Sequence, residues 1–145
     1  MLVDRSNAGA AIEGFFAGEG LAERTRFVGG DFLSDDFGDG FDLALVGNLI
    51  HNLGEAGSRA LLHRLGDRMA PGGRVAIKDI AVQDDRLAPT SAGRFAVSMA
   101  MFTDGGGVFP ASEAAAWLAD AGFAHESTTD LSRAPGSYLV VGRKR

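Results

Sequence analysis

Cysteine is absent from the 145 residues, which excludes disulfides and thiolate metal sites and leaves the redox compartment unmarked. Basic residues are in the minority, 14 Lys and Arg against 19 Asp and Glu, for a net charge of -5. With no basic stripe to offset the acids, a nucleic-acid partner is not expected. No apolar run approaches the ~20 residues that span a bilayer, and Met1-Leu-Val-Asp4 lacks the basic and apolar regions of a signal peptide. A cytoplasmic protein without a membrane partner is the expectation. Histidine is scarce as well: His51, His63 and His125 are scattered without matching carboxylates, a pattern that predicts no metal site. What is plentiful is glycine. Twenty-one of them, roughly twice the average usage, suit a fold with many tight strand-helix turns.

The stretch that organises the chain is Phe41-Asp-Leu-Ala-Leu-Val-Gly-Asn-Leu-Ile-His-Asn-Leu53. Its apolar run, bounded by turn residues, predicts a strand over Phe41–Val46 buried on both faces. A helix follows from about Glu55 to Arg68, with Ala60, Leu61, Leu62 and Leu65 on its buried side. It stops at Ala70-Pro-Gly-Gly73, where proline cannot continue a helix and glycine tolerates left-handed backbone. Upstream, a short strand over Met1–Val3 precedes a helix with Ala11, Ile12, Phe15 and Phe16 on one face, and Thr25–Val28 is a second strand. Downstream come a strand Arg74–Ile80, a helix Ser91–Phe102 ending at Asp104 and three glycines, and a helix capped by Ser112 with Ala116, Trp117 and Ala121 inward. Two final strands, His125–Leu131 and Ser137–Val141, meet around Pro135-Gly136 and so are expected to be antiparallel. The order β-α-β-β-α-β-α-α-β-β predicts a single α/β domain with a mostly parallel, three-layer sheet and an antiparallel pair at its end.

Polar residues close four strands: Asp4, Asp31, Asn48 with His51, and Asp79. Parallel strands put their carboxyl ends along one edge, so these positions are candidates for one crevice. A carboxylate there suits a ribose, since it accepts from both hydroxyls; a helix cap is an equally good account of Asp4. Asp31-Phe32 offers an acceptor beside a flat apolar face, as an adenine needs, although a turn aspartate before a core phenylalanine is commoner. An imidazole titrates near ~6.5 and can take a proton at neutral pH, which makes His51 the first place to look for chemistry. His63 and His125 read as structural.

Gly29-Gly-Asp-Phe32, Phe41–His51, Ala70-Pro-Gly-Gly-Arg74 and Trp117-Leu-Ala-Asp-Ala-Gly-Phe123 together resemble the S-adenosylmethionine-dependent O-methyltransferases. The likeness is to the bacterial and plant small-molecule type (the acetylserotonin or caffeate group), and it covers nearly the whole chain. It implies a Rossmann-like class I methyltransferase fold, S-adenosyl-L-methionine as cofactor and a small hydroxylated aromatic or polyketide-like substrate. It also implies Asp4 on the ribose, Asp31 and Phe32 around the adenine, His51 as general base and Asp79 as the acid that orients it. Gly47 and Asn48, closing the same strand, join the cofactor-binding set; Gly47 stands where plant members have a cofactor-contacting lysine. Asn52 follows the histidine's position where Asp is usual, and Val108 occupies the place of a second acid.

The resemblance further implies that the glycine-rich loop after the family's first strand, and the N-terminal helices that form its homodimer, have no counterpart from Met1 on. The chain is therefore expected to be a partial catalytic domain lacking the first strand of the sheet. Submicromolar cofactor binding by it alone would contradict that. A non-methylating relative of the same fold, or an inactive fragment serving in assembly, are the competing readings. The helix Ser91–Phe102, with Met99, Met101 and Phe102, is the candidate wall of an apolar substrate pocket.

Overall fold

The computed structural model describes residues 1–131 and 133–145. They divide into two compact units, Met1–Gly38 and Asp39–Arg145.

In the first unit, β1 (Leu2–Asp4) and β2 (Phe27–Gly29) pair in parallel, with Asp4 opposite Gly29. The helix α1 (Gly9–Gly18) runs between them and packs on β2. Small residues permit this approach: a Cβ on Gly9 would lie 2.9 Å from the Phe27 ring. The predicted apolar face of α1 is only half right, because Ile12 and Phe16 are partly buried while Ala11 and Phe15 are exposed.

The second unit holds a four-stranded sheet in the order β3-β4-β6-β5, from β3 (Phe41–Gly47), β4 (Met69–Ile80), β5 (Phe123–Asp130) and β6 (Ser137–Lys144). β3 and β4 are parallel, β5 and β6 are antiparallel to each other as expected, and β6 is also antiparallel to β4. Three helices belong to it: α2 (Ile50–Arg68), α3 (Thr90–Phe102) and α4 (Ala111–Asp120). The observed order of α-helices and strands is the predicted one, and the architecture is α/β with mixed sheets.

β3 is not buried on both faces. Leu43 and Leu45 are 64% and 69% exposed, while Val46 is buried at 5%. The reason is coverage: α2 packs against β3 and β4. The alternation of a strand, period two, then gives one covered and one open face. On α2 the buried residues are Ile50, His51, Gly54, Ser58, Leu61, Leu62 and Leu65, whereas Ala60 is exposed. On α4 they are Ala114, Trp117 and Leu118 rather than Ala116 and Ala121. Ser112 is not the cap of α4. Pro110 occupies that position, and the Ser112 hydroxyl donates instead to Asp84 Oδ1 at 2.6 Å.

The terminator after α2 acts one residue early. Met69 is already extended (φ -75°, ψ 143°) and pairs with Phe41, so Ala70–Gly73 belongs to an irregular start of β4. Gly72 has φ +75°, and the register jumps from Phe41–Met69 to Leu43–Arg74 across it.

Candidate active site

The second unit builds its polar centre where β3 ends. Asn48 takes left-handed backbone (φ 53°), which Asn tolerates better than most side chains. Its N–H donates to the Lys78 carbonyl at 2.8 Å, and the Lys78 ammonium donates back to Asn48 Oδ1 at 2.7 Å. This two-way tie turns the chain sharply after Gly47, which sits opposite Lys78 in the register. α2 begins at once, so His51 lies in its first turn rather than in a preceding loop.

That first turn is almost detached. Gly54 has φ 65°, ψ -177° and breaks the helix between Leu53 and Glu55. His51 faces β4, where Asp79 Oδ1 accepts from its Nδ1–H at 2.6 Å. The same carboxylate oxygen accepts from the Ile80 N–H at 2.7 Å. Asp79 is 2% exposed and His51 8%. A buried carboxylate on Nδ1 fixes the tautomer: the proton stays on Nδ1, and Nε2 is left with its lone pair as the acceptor. A short bond to an ionised oxygen is of the stronger kind. Phe95 of α3 meets the imidazole edge-on, with ring centroids 5.0 Å apart at 85°.

Tyr138 lies beside this pair, directly across from Asp79 in the β4–β6 register. It is 1% exposed, and its hydroxyl donates to the Phe109 carbonyl at 3.2 Å. Burial lifts its pKa well above the ordinary phenol value, and the Asp79 charge adds to the effect. The folded state therefore holds the phenolic proton more tightly than the unfolded chain. Its contribution to stability is complete below pH ~10 and is lost as pH rises from there toward the folded-state value. Because this is the one tyrosine in the chain, tyrosinate absorbance isolates it. The native protein is expected to ionise well above pH 10. Tyr138→Phe should cost about 0.5–1.5 kcal/mol at neutral pH and flatten the alkaline fall in melting temperature. A midpoint near 10 in the folded protein would contradict the burial.

In the first unit, the carboxyl ends of β1 and β2 bring Asp4 and Asp31 to one edge, where the Gly30 N–H donates to the Asp4 carbonyl at 2.9 Å. Asp4 is exposed; its Oδ1 accepts from the Arg5 N–H at 2.7 Å, and the other oxygen has no partner among the described residues. Asp31 is likewise exposed and caps the following turn, Oδ1 accepting from the Leu33 N–H at 2.8 Å, while Phe32 is half-buried. A Cβ on Gly30 would meet Asp35 Oδ2 at 2.6 Å and push aside the carboxylate that accepts from the Asp31 N–H.

Of the residues singled out from sequence, His51 joins Asp79, Gly47 and Asn48 form the turn that delivers them, and Asp4, Asp31 and Phe32 stand together in the other unit. Val108 is 5% exposed and supplies a carbonyl to Arg86 at 3.2 Å. His63 is exposed on α2, and His125 Nε2 pairs with the Thr128 hydroxyl at 2.9 Å. Missed were Phe95, Lys78, and the packing of Gly105–Gly107 on the histidine turn. The three consecutive glycines were the available signal, since such a run permits two backbones to touch.

Among the described residues no helix is long and apolar enough to cross a membrane. Residues 8–124 match the O-methyltransferase domain family. The tetracenomycin polyketide synthesis 8-O-methyl transferase of Streptomyces glaucescens is 34% identical over 122 residues, 84% of this chain and 35% of that protein. The 3-hydroxy-5-methyl-1-naphthoate 3-O-methyltransferase of Streptomyces sahachiroi is 28% identical over 88% of this chain and 37% of its own. The chain thus spans just over a third of the length of these relatives. Among solved structures, a protein from Nostoc punctiforme superposes with a TM-score of 0.91 at 25% identity, covering 98% of this chain and 43% of that one. PigF, solved with SAH, does so with a TM-score of 0.85 at 26% identity, over 99% and 47%. With the family match extending over most of its length, the chain belongs to the O-methyltransferase domain family.

Proposed function

We propose that this chain is part of the catalytic domain of an S-adenosyl-L-methionine-dependent O-methyltransferase acting on a hydroxyl of a small aromatic or polyketide-like metabolite. The observation that carries the reading is the buried His51–Asp79 pair, 2.6 Å apart, at the carboxyl ends of two adjacent parallel strands. The activities named for the Streptomyces relatives support the substrate class.

The residues present fit the nucleoside half of the cofactor. Asp4 keeps one exposed carboxylate oxygen for a ribose hydroxyl, and Asp31-Phe32 pairs an exposed acceptor with a half-buried aromatic face. Gly47 and Asn48, at the end of β3, are further proposed cofactor-binding residues, carried over from the family resemblance. When bound, the cofactor supplies an activated methyl group on a sulfonium. The protein's own work is then positioning and proton removal. His51 Nε2 accepts the substrate hydroxyl proton, Asp79 holds the ring through Nδ1–H and stabilises the imidazolium that forms, and the proton later leaves to solvent. A cytoplasmic location, a homodimeric full-length form and no nucleic-acid partner complete the proposal.

Calorimetric titration with S-adenosylhomocysteine should show saturable binding that Asp4→Ala weakens about tenfold, the loss of roughly one charge-assisted hydrogen bond. Incubation of the enzyme with a hydroxylated aromatic and S-adenosylmethionine should add one methyl by mass. A product of unchanged or otherwise altered mass would favour a non-methylating relative. Absence of both binding and turnover would favour an inactive assembly fragment.

A further inference from the structure

His51 sits on a single helical turn, Ile50–Leu53, cut from the rest of α2 by Gly54. One turn of helix has little stability of its own; the His51 N–H donates to Asp79 Oδ2 at 3.4 Å, but the ring's single hydrogen bond to Asp79 leaves the imidazole free to swing about that bond. Two further contacts remove this freedom, one from α3 and one from the segment that follows it. Phe95 sets the plane of the ring from its edge. Beyond the end of α3, Gly107 N–H donates to the His51 carbonyl at 2.9 Å.

The segment Thr103–Gly107 is shaped for that contact. The Thr103 hydroxyl donates to the Met99 carbonyl at 2.6 Å and accepts from the Gly106 N–H at 3.1 Å, so the segment is tied to the last turn of α3. A Cβ on Gly106 would collide with the His51 carbonyl oxygen and the Thr103 hydroxyl, and a Cβ on Gly54 would collide with the Gly105 carbonyl. Close backbone approach on both sides is therefore what these glycines provide. Ser58, fully buried, adds a 3.4 Å contact from its hydroxyl to the Ile50 carbonyl.

We propose that Phe95 and the Thr103–Gly107 strap form a clamp that positions His51, fixing the direction of Nε2 while Asp79 fixes the tautomer. These are positioning residues: each acts through His51. The catalytic meaning of the clamp rests on His51 being the base, but the clamp itself is measurable without turnover. Since α3 also carries the exposed Val97, Met101 and Phe102, a ligand seated against those side chains would press on the element that aims the imidazole.

The test is nitrogen-15 NMR of the histidine rings in the 145-residue chain, read at the His51 Nδ1–H bonded to Asp79. The native ring should show one tautomer and a slowly exchanging, far downfield proton. Gly106→Ala and Phe95→Leu should speed that exchange roughly tenfold or more, as local protection is lost, and Phe95→Tyr should restore the native rate. Gly93→Ala, on an exposed stretch of α3 with nothing within 4 Å of the added Cβ, should leave the signal unchanged. If Gly106→Ala does not fold, Phe95→Leu against Phe95→Tyr decides alone. A native ring that already averages its tautomers, or folded Gly106→Ala and Phe95→Leu chains with unaltered exchange, would overturn the clamp. In the active enzyme, His51→Ala that keeps its turnover would remove the base assignment and leave the clamp standing, so the two failures are distinguishable.

Discussion

His51→Ala is expected to lower methyl transfer by about 10²- to 10⁴-fold, the usual worth of a positioned general base, and to leave cofactor affinity within about twofold of the parent. The separation follows from role. His51 is proposed to take the substrate proton, whereas Asp4, Asp31 and Phe32 are proposed to hold the nucleoside of the cofactor. The loss should therefore fall on kcat. Truncation also leaves a carboxylate that is 2% exposed with backbone N–H donors alone, so the variant should lose about 1–3 kcal/mol of stability. Melting curves and initial rates must be compared at a temperature where both proteins are folded. Asp79→Asn offers a sharper contrast. It keeps the volume but can no longer bind Nδ1–H as an anion, so it should also slow turnover about 10²-fold or more while the imidazole remains. If Asp79→Asn turned over at the parental rate, the orienting role of the carboxylate would be lost even with His51 essential.

Trp117→Ala should be the most damaging substitution for stability, at about 3–5 kcal/mol. The indole is 2% exposed, meets the Phe109 ring edge-on at 5.1 Å, and lies 5.7 Å below the Arg59 guanidinium. Its neighbours on α4, Ala114 and Leu118, are buried as well, and the helix packs on β5, β6 and α2. Removing the indole leaves a cavity among Phe109, Leu118 and the sheet that backbone this constrained cannot close. Single domains are stable by only 5–15 kcal/mol, so the change consumes a large share of the total. Chemical denaturation followed by circular dichroism measures it, because the one tryptophan is no longer there to fluoresce. Trp117→Phe should cost markedly less, as a ring still faces Phe109. Equal losses for the two variants would mean that aromatic volume at this site does not matter.

Legibility from sequence varied with the kind of interaction involved. The order and type of every helix and strand followed from local patterns: glycine and proline punctuation, the apolar run before Gly47, and the period of α2. Faces were less secure. Ala11, Ala60 and Ala116 were placed inward because alanine is apolar, but it has too little surface to drive burial, and larger neighbours such as Leu118 took the interior. Leu43 and Leu45 read as core because an apolar run reports hydrophobicity and is silent about which face of a strand a helix covers. Ser112 looked like a cap because cap residues are recognised locally, whereas Asp84, which it binds, is distant in the chain.

By itself the sequence determined the family and the α/β element order and offered the candidate residues for chemistry, because each of these is written in contiguous segments. Only tertiary structure decided that Nδ1 of His51 meets Asp79 at 2.6 Å, 28 positions away, and that Phe95 and three glycines close around the same turn. Hydrogen bonds of that length demand distance and direction together. Neither exists until β4 is registered against β3 and the chain after α3 folds back onto the histidine.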